Sequence, residues 1–507
     1  MEARFLDSVR KSFPPASAAI TLGAPLREGE CHPEPLVTVP LEMMNRHGLI
    51  AGATGTGKTK TLQLIAEQLS NSGVPVFLAD VKSDLSGLGA PGESNDRVAQ
   101  RVHDTGFAWK PQTFPVEFLS LTGKRGAQLR ATVSSFGPLL LSKVLGLNET
   151  QTSVLGLVFK YCDDKHLPLL DFADLRAVLQ HLTGDGATDL AGYGGMSKAS
   201  VGVLLREMVE LEQQGAGTFF GEPEFDLDDL MQTERDGRGL ISALELSDVQ
   251  DRPALWSTFT LWMLTRLYHE LPEVGDIEKP KLVFFFDEAH LLFHSASPAF
   301  LEQVEQVVRL VRSKGVGVFF VTQSPKDVPG SILGQLGHRV QHALRAFTED
   351  DDKALKAAAR TFPKTEFYDL EEIMTTLGTG EALVTVLGES GVPSAPVATR
   401  LVPPASRMGP LTDSELAQRL AASKQVQEYA QAIDRESARE MLAARMAGRA
   451  DDAPAEKPVT RRAGPAPLST FEEVLRSPLT RSIATTVTRG LLGALLGPPP
   501  RRRRRYN

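Results

Sequence analysis

One stretch constrains the fold more than any other: residues 52–59 read Gly-Ala-Thr-Gly-Thr-Gly-Lys-Thr. They fit the pattern G-x-x-x-x-G-K-[ST], in which a glycine-rich loop binds phosphate groups. The preceding residues 48–51 are small and apolar, as in a buried parallel strand. Residues 60–70 carry apolar side chains at helical spacing. A strand, such a loop and a helix in this order predict an α/β nucleoside triphosphatase core.

The chemistry of this loop gives each part of it an expected role. Its glycines let the backbone curl so that N–H groups point at phosphates, and the helix N-terminus adds partial positive charge. Lys58 is predicted to reach the β- and γ-phosphates, and the Thr59 hydroxyl to ligate Mg²⁺. No guanine-reading Asn-Lys-x-Asp occurs, which favours ATP. The predicted nucleotide-binding residues are Gly52, Ala53, Thr54, Gly55, Thr56, Gly57, Lys58, Thr59 and Lys60.

A second informative stretch is the apolar run that starts at Lys281 and ends in Asp287 and Glu288. A continuous apolar run of this length predicts a buried central strand that delivers both carboxylates to the sheet edge. We expect Asp287 to hold Mg²⁺ through water and Glu288 to orient and polarise the attacking water. The alternative for both acids is capping of a following helix. His290 is expected only to pack beside the site.

Two other strand ends carry weaker signals. Gln323 follows the predicted strand 315–322 and is placed to sense the γ-phosphate or the attacking water; the alternative is a polar residue at a strand end. Asp80 and Asp84 follow the predicted strand 74–79, at an edge where open α/β sheets bind ligands. They are candidates for ordering Mg²⁺ or water, and turn chemistry is an equal alternative.

The remaining chain divides by composition and periodicity. Residues 340–347 predict a last core strand, and a capping box at Thr412 begins one long polar helix that ends near Ala447. The predicted segments are a lead-in (1–47), the first core part (48–127), a helical insertion (128–235), the second core part (236–402), a helical extension (403–447), a linker (448–467) and an amphipathic, arginine-ended tail (468–507).

Charge and cysteine content narrow the setting. The net charge of −8 gives no overall basic signal for nucleic acid. Cys31 and Cys162 are the only cysteines, and neither a signal peptide nor a membrane-length apolar run occurs, so a cytoplasmic location is expected. The arginine-ended tail is a candidate for binding nucleic acid, an anionic membrane surface or an acidic protein patch, and a solvated tail is its alternative.

Taken together, the motifs resemble the HerA/FtsK branch of RecA-like ATPases, and more narrowly the bacterial HerA-like proteins. The resemblance covers about residues 20 to 400, and the tail more loosely. The stretches that carry it are the phosphate loop, residues 281–290, the turn 312–317, Val321-Thr322-Gln323, residues 80–85 and residues 339–347.

This resemblance implies a RecA-like, mainly parallel sheet with helices on both faces, and a homo-hexameric ring that binds ATP and Mg²⁺ at subunit interfaces. It also implies an arginine supplied in trans to the neighbouring site. Arg312 is the first candidate and Arg339 the second, ahead of Arg309 and Arg345; a salt bridge or surface role is the alternative for each. HerA proteins also carry an N-terminal β-barrel, and we expect a full barrel to be missing because only about fifty residues precede the loop.

Three functions compete on these grounds. The first is an ATP-driven motor that moves double-stranded DNA through the ring, as a translocase or helicase. The second is a DEAH-type helicase, because residues 287–290 read Asp-Glu-Ala-His; the long separation from Lys58 and the missing later motifs oppose it. The third is a nucleotide-gated assembly protein that recruits a protein partner or a membrane surface. Stimulation of hydrolysis by DNA would separate the first from the third.

Overall fold

The computed structural model describes residues 1–275, 277–293, 298–388 and 391–451. Met1–Met446 form one compact unit and Ala447–Asn507 a second. The predicted tail and most of the predicted linker lie outside the described residues. No helix in the described ranges is long and apolar enough to cross a membrane.

The secondary structure elements alternate between strands and helices over most of the chain. The strands are β1 (Ala19–Arg27), β2 (Glu30–Cys31), β3 (Val37–Pro40), β4 (Gly48–Ala51), β5 (Val76–Asp80), β6 (Val116–Ser120), β7 (Ala127–Gln128), β8 (Ile241–Glu245), β9 (Leu282–Phe286), β10 (Val316–Thr322), β11 (His338–Gln341), β12 (Glu381–Thr385) and β13 (Val397–Leu401). The helices are α1 (Glu2–Ser12), α2 (Lys58–Asn71), α3 (Asp96–Thr105), α4 (Val133–Val144), α5 (Glu149–Lys165), α6 (Phe172–Thr183), α7 (Lys198–Leu211), α8 (Gly217–Phe219), α9 (Pro253–Glu270), α10 (His290–Phe293), α11 (Pro298–Val311), α12 (Gly330–Leu333), α13 (Glu349–Ala359), α14 (Leu370–Thr376), α15 (Asp413–Ala422), α16 (Lys424–Tyr429) and α17 (Ala438–Asp451).

The strands of the described chain form one mixed sheet, in the order β2-β1-β13-β12-β11-β4-β10-β9-β5-β8-β6-β7, with β3 beside β1. Neighbours from β11 to β7 are parallel, and those from β2 to β11 are antiparallel. β10 lies between β4, which leads into the phosphate loop, and β9, which leads into Asp287. The carboxyl ends of these strands therefore meet at one edge, where ligands of open α/β sheets bind.

The core lies on both faces of the sheet, which explains the unbroken apolar run of β9. Phe284 and Phe286 pack on the face that α9 covers, while Phe285 packs on the face that α2 covers. All three side chains are fully buried. Burial of one such side chain contributes about 1.5–3 kcal/mol, so a strand buried on both faces is held firmly in place.

Two sequence-based expectations are wrong. The predicted strand over residues 340–347 is β11, which starts at His338 and ends at Gln341; beyond it the chain turns under the phosphate loop, where the N–H of Ala53 donates to the carbonyl of Ala343 at 2.8 Å. The predicted single helix from Thr412 to Ala447 is three helices, α15, α16 and α17. The Ser423 side chain caps α16. Tyr429 at the end of α16 is buried and packs against Phe225.

The lead-in contributes more structure than the sequence analysis predicts. β1 is nine residues long and joins the sheet by antiparallel pairing with β13. Prolines scattered through residues 14–40 obscured it, because they are typical of turns and extended chain. The helical segment predicted for residues 128–235 is present as α4 to α7.

Candidate functional site

The phosphate loop is a tight turn between β4 and α2. Gly52, Gly55 and Gly57 have φ angles of +154°, +78° and +114°, a region that favours glycine. The Thr56 hydroxyl donates to the carbonyl of Ala53 at 2.7 Å, and Lys58 Nζ donates to the same oxygen at 3.2 Å. The loop therefore curls around the carbonyl oxygen of Ala53, and the Lys58 side chain lies across it.

Lys58 is buried close to two acidic side chains. Its residue is only 9% exposed, and this burial lowers the pKa of its ammonium group, although the charges of Glu288 and Asp287 oppose the effect. The ammonium group therefore shares one electrostatic environment with both acids at the end of β9. A phosphate chain brought to this place would meet a desolvated, strongly interacting cation.

The loop rests on the segment that follows β11, which the sequence analysis did not identify as part of the site. A Cβ added to Gly52 would lie 2.5 Å from the Cβ of His342. His342 Nε2 lies 2.8 Å from the Thr61 hydroxyl, and burial together with the Lys58 charge lowers the pKa of His342 to about 4. A neutral histidine therefore fixes the loop against the first turn of α2.

Asp287 leaves β9 with one oxygen engaged and one available. Its Oδ1 accepts the N–H of Glu288 at 2.9 Å, and its Oδ2 is buried without a hydrogen-bond partner among the described residues. Burial and the neighbouring Glu288 charge raise the pKa of Asp287 to about 6. An orphaned buried oxygen of this kind suits a divalent cation, with Thr59 contributing from the first turn of α2. Since no cluster of three or more metal-ligating side chains occurs in the described ranges, any Mg²⁺ here would keep water and phosphate ligands.

Glu288 is held through one of its carboxylate oxygens, and the other, Oε2, has no hydrogen-bond partner among the described residues. Its φ angle is +47°, its side chain is 7% exposed, and its Oε1 accepts a hydrogen bond from Lys82 Nζ. His290 Nδ1 lies 3.2 Å from Oε2. Although burial alone would raise the pKa of Glu288, the bond and charge of Lys82 hold that pKa below its ordinary value. The carboxylate is charged and tethered to the loop after β5.

Asp80 shapes that loop. It accepts the N–H of Lys82 at 3.1 Å and that of Leu85 at 2.8 Å, and burial together with the Glu245 charge raises the pKa of Asp80 to about 8. These contacts favour turn chemistry for Asp80. Asp84 is partly buried, and its Oδ1 finds no hydrogen-bond partner within the described part of the chain, so a role in ordering water or a cation stays a prediction.

Gln323 lies at the mouth of the site. It is exposed, follows the last residue of β10, and lines a cavity of about 580 Å³ together with Ala53, Thr54 and His290. Arg345 lines the same cavity from the segment after β11. Gln323 therefore lies at the same edge of the sheet as the phosphate loop and Glu288, as its position after β10 predicts.

Arg312, Arg339 and Arg309 lie together at the opposite edge, whereas the fourth candidate, Arg345, lies beside the phosphate loop. Arg312 precedes β10, a strand of seven residues that spans roughly 20 Å. The Arg339 guanidinium donates to the carbonyls of Leu333 and Leu336 at 3.4 Å each. Both arginines line a cavity of about 440 Å³ that also contains Arg46 and Arg309. Within one subunit, Arg312 is therefore separated from the phosphate-loop edge by about the length of β10, and Arg339 lies near the amino end of β11.

One protein family matches most of the chain. The family model described as "Helicase HerA-like C-terminal" matches residues 26–505. The chain belongs to this HerA-like family. Its predicted membership of the HerA/FtsK branch is confirmed, and with it the identification of the chain as a P-loop ATPase-type nucleotide-binding protein.

Solved structures match the fold of this HerA-like chain. The plasmid coupling protein TrwB in complex with ADP and Mg²⁺ matches with a TM-score of 0.50 at 16% identity, over 78% of this chain and 91% of that chain. VirB4 of Thermoanaerobacter pseudethanolicus matches with a TM-score of 0.48 at 13% identity, over 77% and 98% respectively. No curated protein sequence matches the chain. The predicted α/β, RecA-like fold is confirmed.

Proposed function

We propose that this HerA-like protein is a Mg²⁺-dependent ATP hydrolase that works as a ring-shaped motor on double-stranded DNA. The observation that carries the hydrolase is the meeting of Lys58 with Asp287 and Glu288 at one sheet edge, where the charges of both acids raise the pKa of Lys58 and the charge of Lys58 lowers that of Glu288. The family membership supports the motor, and the fold shared with TrwB is consistent with it.

The site residues divide the work of hydrolysis. The loop N–H groups and Lys58 bind the β- and γ-phosphates, and Thr59 with Asp287 holds Mg²⁺. The metal, when bound, neutralises charge that develops on the phosphate oxygens. Glu288 orients the attacking water and accepts its proton, while Gln323 senses the terminal phosphate from the cavity mouth.

The arginine cavity supports catalysis by a neighbouring subunit. None of the described residues that line it is acidic, and Arg339 Nη1 is buried without a hydrogen-bond partner in the described ranges. A cavity of this charge suits phosphate oxygens, yet its own subunit's phosphate loop is out of reach. Head-to-tail packing in a closed ring brings Arg312 or Arg339 to the next subunit's site, where either stabilises transition-state charge. We take six as the number of subunits from the family resemblance.

The test is ATP hydrolysis by the purified full chain, with and without double-stranded DNA. Glu288→Gln keeps the size and hydrogen-bonding capacity of the side chain and removes its basicity, so we expect a loss of about 10²–10⁴-fold in kcat with nucleotide binding retained. DNA is expected to stimulate the wild type and not the variant. Hydrolysis that Glu288→Gln abolishes but DNA leaves unchanged would keep the hydrolase, overturn the DNA motor and favour a nucleotide-gated assembly protein.

A further inference from the structure

The side chain that should activate water is already engaged. Glu288 Oε1 accepts a hydrogen bond from Lys82, with Glu288 almost fully buried and Lys82 half exposed. A carboxylate that accepts a hydrogen bond from an ammonium group is a weaker proton acceptor than a free one. The bond therefore occupies Oε1 and fixes the direction of the carboxylate, while Oε2 is buried without a hydrogen-bond partner among the described residues.

The loop that presents Lys82 is fixed by buried hydrogen bonds. Asp80 accepts two of its backbone N–H groups, and Ser83 takes a φ angle of +58°. The Ser83 hydroxyl donates to Glu245, and both Asp80 and Glu245 are fully buried. Burying two acids and straining a serine both cost free energy. Because such features persist only where surrounding contacts compensate for them, we infer that the backbone of this loop is held in one position.

The free end of Lys82 is nevertheless able to move. Its backbone is anchored, but its ammonium group stands on a flexible four-carbon stem and half of the side chain is exposed. The charge of Lys82 is also felt at Lys58 and at Asp287, so it already lies in the field of the phosphate site. A terminal phosphate bound beside Lys58 would offer this ammonium group more negative charge than one carboxylate does.

We propose that Lys82 is a positioning residue that gates hydrolysis: it restrains Glu288 until a nucleoside triphosphate binds, and then moves its hydrogen bond to a terminal phosphate oxygen. The freed Glu288 takes a proton from water as the water oxygen bonds to phosphorus, and the bridging P–O bond breaks with its electrons on the departing diphosphate. The gate deepens the proposed hydrolase and rests on it. A diphosphate lacks the group that Lys82 moves to, so it leaves the restraint in place.

The gate predicts a coupling between positions 82 and 288 that depends on the third phosphate. We would measure dissociation constants of the full chain for ADP and for a non-hydrolysable ATP analogue in wild type, Lys82→Met, Glu288→Gln and the double variant. Lys82→Met should weaken binding of the analogue by about tenfold and leave ADP within twofold, since one charge-assisted hydrogen bond is lost only with the triphosphate. Glu288→Gln should tighten binding of the analogue only when Lys82 is present.

The controls separate the gate from a purely structural ion pair. Lys160→Met removes a surface pair with Asp164 and should change neither constant. Lys82→Arg should restore most of the preference for the analogue, and thermal unfolding shows whether each variant is folded. Equal changes for ADP and the analogue, or no coupling between the two positions, would overturn the gate. If the wild type binds no nucleotide better than Lys58→Ala, the proposed function itself fails instead.

Discussion

The two edges of the parallel sheet are built from opposite kinds of charge. The carboxyl edge combines buried acids with two lysines, and most of their polar atoms are paired within the chain: Asp80, Glu245, Asp287, Glu288, Lys58 and Lys82. The amino edge collects arginines around one cavity, beside neutral buried histidines: Arg46, Arg309, Arg312, Arg339, His47 and His338.

The difference shows what each edge lacks. The carboxyl edge has a phosphate loop and two carboxylates, and Lys326 and Arg345 line the cavity beside them, but neither Arg312 nor Arg339 lies there. The amino edge collects Arg309, Arg312 and Arg339 around one cavity, whose described lining residues include no acid, although Arg309 pairs with Glu305 outside it. Each edge is therefore half of one site, and the comparison holds only if two subunits bring the halves together.

The strongest test of this two-subunit site is to inactivate the arginine edge and the phosphate-loop edge in separate variants and then to mix the two purified proteins. Arg312→Ala and Arg339→Ala should each be tested for hydrolysis, and we expect the arginine that acts in trans to cost about 10³-fold or more in kcat. Lys58→Ala should abolish hydrolysis by removing the phosphate contact. A mixture of the inactive arginine variant with Lys58→Ala should regain activity, because some interfaces then join an intact loop to an intact arginine.

Arg309→Ala is the matched control for these arginine variants. Arg309 lines the same cavity, but it is 57% exposed and pairs with Glu305 at 2.7 Å on the surface of α11. We expect its loss to leave hydrolysis within about twofold, since exposed pairs contribute less than about 1 kcal/mol. Failure of the mixtures to regain activity would confine catalysis to single subunits and overturn the complementary-edge argument.

The amino edge should also weaken the fold as the solution becomes acidic. Burial lowers the pKa of His47 and of His338 to about 4. His47 Nδ1 accepts the N–H of Val318 at 3.0 Å, so a proton on that nitrogen would break the bond. At these two histidines the unfolded chain binds protons below about pH 6.5 that the folded chain refuses, so their contribution to the free energy of unfolding falls from there toward pH 4. Each histidine contributes up to about 1.4 kcal/mol per pH unit.

Urea unfolding between pH 7 and pH 4.5 measures this dependence. The wild-type slope also includes His342, whose pKa is lowered to about 4, and Asp80 and Asp287, whose raised pKa values act in the opposite direction, so the difference between variant and wild type isolates His47. His47→Gln replaces one titrating side chain with a neutral donor and acceptor, so its curve should be flatter by about one proton. An unchanged slope in His47→Gln would show that this histidine already carries a proton in the folded protein.

The sequence predicted those parts of the fold and of the site whose residues are contiguous in the chain. The phosphate loop and the strand into Asp287 are contiguous, and their motifs specify the residues and their order. The separation of Arg312 from the loop also follows from parallel strands, because a residue before a strand and one after it lie at opposite edges. Predicting these features does not require knowing how the helices pack on the sheet.

The contacts that control the site were not local. Lys82 and Glu288 are 206 residues apart, and His342 supports the phosphate loop from a segment that reads as a strand. Nothing in the periodicity of residues 340–347 shows that the chain leaves the sheet at Gln341. Such contacts follow from which strands become neighbours, and a single sequence does not fix that order.

The smallest expected effect tests how closely the carboxyl edge is packed. Gly52 and Gly55 both have positive φ angles, so alanine strains either position by roughly 1 kcal/mol. A Cβ on Gly52 would meet the Cβ of His342 at 2.5 Å, whereas one on Gly55 has nothing within 4 Å. Gly52→Ala should therefore cost about 1–3 kcal/mol more in unfolding free energy than Gly55→Ala. Equal losses in urea unfolding would mean that the segment after β11 yields, and that His342 does not hold the loop rigidly.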